Sequence, residues 1–367
     1  MLNYVKLSAV ALMVSLLSAC ATVPPGAAGD SIDATAPALD VAAPLVTRPP
    51  KVAAAPAGAS ASEVLALRSL IEQQQRLITV AAPLLIGNAA LCKRHVRNVP
   101  AFVVKTRHSY PDELAGAASL AGLGEQPQVM LLFPASGAAA SGLQQGDILQ
   151  AVGDVRIAPG PNAERDAQKA LDAAALKGRS PLHLSIRRAG AAMTVNLGLT
   201  RTCAFSIELG NTDIVNSYTD GRRVMLTRGM LDALRSDQEL AYVLAKEIAQ
   251  AALVRTAPSG MRAMIDRLAL AAPQASANAS PRMPAIAPYV PVTDATADKL
   301  ALFMLVRAGV DIDEAPAFWQ RLARQHPATI AHGHTALHPS TSYRVSVIRA
   351  VTASIKQRQL NDLPLVP

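Results

Sequence analysis

Apolar positions along the chain fall into distinct textures. Leu7 to Leu17 is a short, mostly apolar run, about half of the roughly 20 residues a bilayer span needs. Behind Ser60-x-x-Glu63, the apolar residues Leu65, Leu67, Leu70, Ile71, Leu77 and Ile78 recur at helical spacing. An N-cap hydroxyl followed three residues later by a carboxylate opens helices, so a helix is predicted from this point. Gln128-Val-Met-Leu-Leu-Phe133 reads as a buried strand, a helix is predicted at about 162–176, and strands at about 182–187 and 193–199. Residues 216–230 read as a strand, a turn and the lead-in to a helix. A second capping box, Ser236-Asp-Gln-Glu239, opens the apolar helical run 240–255.

Other stretches carry no such pattern. Residues 21–62 contain 14 Ala and 7 Pro among 42. That composition predicts a tether, reaching from about 35 Å as a coil to about 130 Å as polyproline II. Ala, Pro, Ser and Asn dominate again at 272–292, which predicts a surface loop.

The chain has 367 residues, half of them apolar. That content excludes global disorder, and the length predicts two or three domains. The net charge is +8, from 35 Lys+Arg against 27 Asp+Glu. A basic balance can mean nucleic acid. With only 3% aromatics, no zinc-knuckle spacing and no long Lys/Arg cluster, no nucleic-acid partner is expected.

Leu17-Ser18-Ala19-Cys20 resembles the bacterial lipobox. The resemblance implies a signal peptide over 1–19 with Lys6 in its positive region, cleavage before Cys20, and a diacylglycerol on the Cys20 thiol. An ordinary signal peptide that happens to hold a cysteine is the alternative. Lipoproteins kept at the inner membrane usually carry Asp at the next position, and here it is Ala21. The expected location is therefore the bacterial cell envelope, as an outer-membrane lipoprotein facing the periplasm and attached to the membrane by its lipid.

Ser136-Gly-Ala-Ala-Ala-Ser-Gly142, followed by Gly146-Asp147-Ile148-Leu149 and Val152-Gly153, is similar to the bacterial PDZ domain. The resemblance implies a β-rich module over 113–200. Such a module binds peptides or protein C-termini by strand addition, with backbone amides capturing the carboxylate. Gly122, Leu123 and Gly124 form the candidate carboxylate loop. A module that only braces its neighbour is the alternative reading. Cys92 and Cys203 flank this segment as the two stems of an inserted domain, in a compartment expected to be oxidising. A disulfide between them is expected, with two separate buried thiols as the alternative.

The most informative stretch is Leu240-Ala-Tyr-Val-Leu-Ala-Lys246-Glu247-Ile-Ala-Gln250. It resembles metallopeptidase family forty-eight, the gluzincins that include HtpX and the CAAX prenyl proteases. In that family the helix reads Leu-Ala-x-Val-Leu-Ala-His-Glu-x-Ala-His. Its two histidines at i and i+4 share a helical face and bind zinc, while the glutamate polarises water. Asp294-Ala-Thr-Ala-Asp298 stands where the family has Glu-x-x-Ala-Asp, and His338-Pro-x-x-x-x-Arg344 matches its closing motif. Ala317-Phe318-Trp319 matches an aromatic clamp. Departures fall on the ligands: Lys246 and Gln250 replace both histidines, and Asp294 replaces the ligand Glu. Glu247, as a vestigial general base, and Asp298 remain. A protonated Lys only donates hydrogen bonds, and zinc seldom accepts a Gln carbonyl. Lys246 is expected to place an ammonium where the metal stood, paired with Asp294 or Glu247. A Lys reaching to solvent from a purely structural helix is the alternative. His332, His334 and His338 read as surface or motif-structural residues.

The expected fold is α+β: a mostly helical gluzincin-like body with a small sheet, formed by 62–112 and 201–360 and interrupted by the β-rich PDZ module at 113–200. The tether occupies 20–61. The expected function is a lipid-anchored periplasmic pseudopeptidase that binds peptides or envelope protein clients, with no metal and no cofactor. The alternative is an active zinc metalloendopeptidase in envelope quality control, with Glu247 as general base.

Overall fold

The computed structural model describes residues 58–253, 259–270, 291–326 and 342–367, all within the compact unit Ala53–Pro367. Cys20, most of the tether, residues 272–290 of the expected surface loop and His332, His334 and His338 lie outside the described residues, while residues 291 and 292 are helical.

Helix α1 (Ala61–Gly87) opens with the predicted capping box. The Ser60 hydroxyl accepts from Glu63 N, and the Glu63 carboxylate accepts from Ser60 N at 2.8 Å. The apolar stripe of α1 serves two cores. Leu67 packs on Tyr110, Leu114 and Leu123, whereas Leu77, Ala81, Leu84 and Leu85 enter the main core. Asn88 ends the helix and is fully buried, and its amide donates to Leu84 O at 2.9 Å and Met304 O at 2.8 Å.

Strand β1 (Val96–Val99) leads into β2 (Phe102–Lys105), and a helical excursion with α2 (Ala115–Leu120) follows. The module then continues through β3 (Gln128–Leu132), α3 (Gly137–Ala140), β4 (Ile148–Val152), β5 (Val155–Arg156), α4 (Ala163–Leu176), β6 (Leu182–Arg188) and β7 (Ala191–Leu197). Its strands form one antiparallel sheet in the order β2-β3-β4-β6-β7, with β5 on β4. The core is built from residues such as Val129, Leu149, Leu171, Leu184 and Ile186. Asp147 accepts two bonds from Arg188 at 2.7 Å each, which ties the Gly-Asp loop to β6.

This sheet begins at Phe102, upstream of the expected module start at 113. The reason is topological: a four-residue strand pairs with β3 across the 106–124 excursion. A pairing that distant leaves no local signal.

The chain returns through β8 (Thr200–Cys203), which pairs antiparallel with β1 in the register Val96↔Cys203 and Val99↔Thr200. Next come β9 (Ser206–Gly210), β10 (Ser217–Thr219) and β11 (Arg223–Thr227), forming a three-stranded sheet in the order β10-β11-β9. Thr227 caps α5 (Arg228–Ala233), its hydroxyl accepting from Met230 N. Helices α6 (Asp237–Leu253), α7 (Ser259–Leu270), α8 (Pro291–Arg307), α9 (Ala315–Gln325) and α10 (Ser342–Leu360) complete the body. The fold is α+β. Among the described residues no helix is long and apolar enough to cross a membrane.

Cys92 and Cys203 are disulfide-bonded, with Cα atoms 5.6 Å apart and a sequence separation of 111. Both are buried in the main core where the two module stems meet as the β1–β8 ribbon. Closing a loop of that length removes unfolded-state entropy worth about 4–5 kcal/mol. Replacing both cysteines by serine should lower the urea unfolding free energy by an amount of that order. Dithiothreitol should reproduce the loss in the unaltered protein and leave the variant unchanged.

Candidate functional site

Helix α6 is apolar almost all round, and its residues from Leu240 to Ala249 are all buried. A helix with that pattern belongs at the centre of a body. The second capping box forms in part: Ser236 Oγ accepts from Glu239 N at 3.2 Å, while the Glu239 carboxylate reaches Arg235 N instead. Lys246 and Glu247, 0% and 1% exposed, therefore sit in mid-core.

Burying an ammonium without partners is prohibitive, and α8 supplies them. Asp294 and Asp298 stand at i and i+4 in α8, on one helical face. The Lys246 ammonium donates to Asp294 Oδ1, to the Asp294 carbonyl at 2.8 Å, and lies 3.0 Å from Asp298 Oδ1. Its three protons thus meet three oxygens. Helix α10 brings Arg344, 1% exposed, whose Nε and Nη2 donate to Asp298 at 2.6 and 2.9 Å. Arg344 Nε also lies 3.4 Å from Asp294 Oδ2, and its guanidinium stacks 4.3 Å from the Trp319 ring. Gln250, one turn beyond Lys246, donates to Asp294 Oδ1 at 3.4 Å.

Two buried cations are matched by two buried carboxylates, which leaves Glu247 as a fifth ionisable group. Neighbours on a helix point about 100° apart, so Glu247 faces away from this cluster and accepts from Ser217 Oγ of β10 at 3.2 Å. Burial raises its carboxyl to about 7, against the opposing pull of Lys246 and Ser217. Asp298 differs: burial works against its charge, but Lys246 and Arg344 together hold it below the usual carboxylate range.

The donor set does not suit a divalent cation. The space between Asp294 and Asp298 is taken by a donor-only ammonium, and the next position on the same face is an amide that donates to Asp294. Among the described residues no three His, Cys, Asp or Glu side chains converge as a ligand cluster.

The structure thus brings together Lys246, Gln250, Asp294, Asp298 and Arg344. It turns Glu247 to Ser217, whereas pairing of Lys246 with Glu247 was one of two expectations. Ser217 carries no sequence signal beyond its place in the strand before α6. Gly122, Leu123 and Gly124 take a different role from the expected carboxylate loop. Gly122, at φ +85°, ends α2 in the left-handed conformation, with Leu123 N donating to Ala118 O. Leu123 is buried against Leu67 and Tyr110. The strand that follows, β3, is interior to the sheet, so it offers no edge for an added strand.

The Glu247 shift makes stability depend on pH. Below about 4.3 the carboxyl is protonated in both states. As pH rises through 7 the unfolded state ionises first, so stability present in acid is lost, by on the order of 3 kcal/mol in full. Glu247→Gln keeps an acceptor for Ser217 and removes the titration. Denaturant midpoints should show the variant more stable than the unaltered protein at pH 8 and nearly equal to it at pH 4.5.

Residues 183–352 match the sequence profile described as Peptidase family M48. No curated protein matches the chain. Among solved structures, the crystal structure of the HtrA3 PDZ domain bound to a phage-derived ligand (FGRWV) is similar at 20% identity. That match covers 29% of this chain and 80% of the other, with a TM-score of 0.19. Over residues 183–352 this chain carries the pattern of Peptidase family M48, with Lys246, Gln250 and Asp294 at the positions that the motif resemblance assigns to its metal ligands.

Proposed function

We propose that this protein is a non-hydrolytic, peptide-binding member of the cell envelope built on a metallopeptidase-like scaffold. One observation carries the reading: a fully buried ammonium, Lys246, holds the place between Asp294 and Asp298. Zinc-dependent hydrolysis needs a Lewis acid that lowers the pKa of a bound water. A lysine with all three protons engaged offers neither an open coordination position nor a lone pair. Glu247 could act as a base only with access to water, and it is buried with Ser217 as its partner.

Peptide binding is supported by the PDZ-like motif 136–154, and attachment to the outer membrane by the lipobox ending at Cys20. Clients would be peptides or envelope proteins met in the periplasm. The family pattern over 183–352 favours a second reading, a zinc endopeptidase with Glu247 as general base.

Zinc content and cleavage separate the two readings. The purified chain from Cys20 onward, expressed with zinc supplied, should carry well under one zinc per molecule and leave casein intact. One zinc per chain with chelator-sensitive cleavage would falsify the proposal.

The charge substitution itself is testable through stability. Lys246→Ala should cost about 3–5 kcal/mol, because it strands buried carboxylates. Asp294→Ala should also destabilise, and the double variant should recover part of the sum, since both losses share one interaction. Small, additive effects in this cycle would mean that the ammonium carries no structural charge.

A further inference from the structure

Three large apolar side chains stand out from the body close together in the chain. Leu360, Leu363 and Val366 are 79, 51 and 45% exposed. Local structure explains why. Helix α10 ends with Asp362 in the left-handed conformation at φ +51°, and Leu363 N reaches back to Arg358 O at 2.9 Å. Leu365 then packs on the main core, which leaves its neighbours Leu363 and Val366 outside. Two guanidiniums hold this course: Arg358 donates to Pro364 O at 2.9 Å, and Arg307 to Leu365 O at 3.4 Å.

The same end of the body carries cations. Arg307 also donates to Gly87 O at 3.1 Å and to Asn88 Oδ1 at 3.2 Å, which sets residues 361–367 against the C-terminal end of α1. The Asn88 carbonyl lies 3.3 Å from Cys203 Sγ, and the short turn Ala89–Cys92 then brings out Lys93 and Arg94. Both are exposed, as are Arg97 in β1 and Arg222 just ahead of β11. The arginines gather about His95: burial first, then Arg94, Arg222 and Arg97, hold its imidazole below the usual value. Lys93, Arg97 and Arg222 form no ion pair among the described residues. Asp311, Asp313, Glu314 and Asp362 are the opposing charges nearby, and Asp313 is already paired with Lys356 at 2.6 Å.

The other end of α1 has the opposite balance. Glu63 and Glu72 of the helix, with Asp112 and Glu113 of the turn beside it, outnumber Arg68. Exposed apolar side chains next to unpaired cations suit a bilayer surface, where the first enter the acyl boundary and the second meet anionic headgroups. A protein interface, by contrast, depletes such charge at its core.

We infer that this end of the body docks on an anionic phospholipid surface, with Leu360, Leu363 and Val366 entering the headgroup boundary and Lys93, Arg97 and Arg222 facing the headgroups. This contact is separate from the acyl group expected on Cys20, and it rests on the envelope reading above for its place in the cell. Helix α1 is about 40 Å long at 1.5 Å per residue. The tether therefore enters about that far from the docking end, within its reach of about 35 to 130 Å. The body is held down on the bilayer instead of hanging from it.

Sedimentation with sucrose-loaded vesicles tests this on the chain from Cys20 onward carrying Cys20→Ser, which has no acyl group. Vesicles of phosphatidylglycerol and phosphatidylcholine in a one-to-two ratio are compared with pure phosphatidylcholine, in low and in half-molar sodium chloride. At low salt, partitioning onto the anionic vesicles should exceed that onto the neutral ones by at least tenfold, and half-molar salt should remove most of the difference. Leu360→Gln with Leu363→Gln and Val366→Gln should lower partitioning onto anionic vesicles at least fivefold and leave its salt dependence. Lys93→Gln with Arg97→Gln and Arg222→Gln should bring the two vesicle types within about threefold of each other. All six positions are exposed, so both variants should melt with the unaltered protein; the single substitutions Leu363→Gln and Arg97→Gln, each expected to lower partitioning about twofold, replace a triple variant that melts early. Partitioning unchanged by either set would overturn this surface as the contact. Equal partitioning onto both vesicle types, or none, by the Cys20→Ser chain would overturn the docking itself. Recovery of the full chain from the cytoplasm would overturn the envelope reading instead, since the vesicle measurement does not depend on it.

Discussion

Charge neutrality inside a low-dielectric core is the constraint on which the body depends. Lys246 of α6, Asp294 and Asp298 of α8 and Arg344 of α10 lie within hydrogen-bonding distance of one another, each at most 3% exposed. An isolated ion in such a place would cost several kcal/mol. Each is tolerable here because its partners arrive from different helices, and a packing of the three helices that separated them would leave a buried charge without a partner. Trp319 of α9 closes one side by lying against the Arg344 guanidinium. The cluster thus acts as a polar keystone in an otherwise apolar core, fixing register where Leu and Ala contacts alone would tolerate sliding.

The same arithmetic separates two acidic residues of the core, Asp298 and Glu247. Asp298 stays charged because it touches two cations, while Glu247 touches a hydroxyl and holds its proton toward neutral pH. Two carboxyl groups a few residues apart in space therefore have opposite characters, set wholly by their partners. Helix α6 is thus a packing element whose buried face carries part of an internal ion lattice.

Much of this was legible in the sequence where the signal is local. The capping box at Ser60, the helix near 162–176, the strand at 128 and the Gly-Asp loop all announce themselves within a few residues. The exchange of two histidines for Lys246 and Gln250 reads directly from one helix. Long-range placement did not. Strand β2 is four residues long and its partner lies beyond a helical excursion, so the module edge was misplaced and the glycines at 122–124, a helix terminus, looked like a binding loop. That Lys246 could not pair with Glu247 was available in principle, since adjacent residues on a helix do not face each other. Ser217 and the bidentate contact of Arg344 required the tertiary structure.

The balance of two cations against two anions also governs how this sequence can change. Replacing Lys246 by a neutral histidine removes one positive charge before any metal can be held, because Gln250 still blocks the second ligand position. Replacing Gln250 first places an imidazole beside an ammonium. Each single step passes through a core with an unpaired charge or a mismatched donor, so a path from this arrangement to a metal site crosses a stability valley. The present arrangement behaves as a ratchet, held in place by the energetics of its own interior.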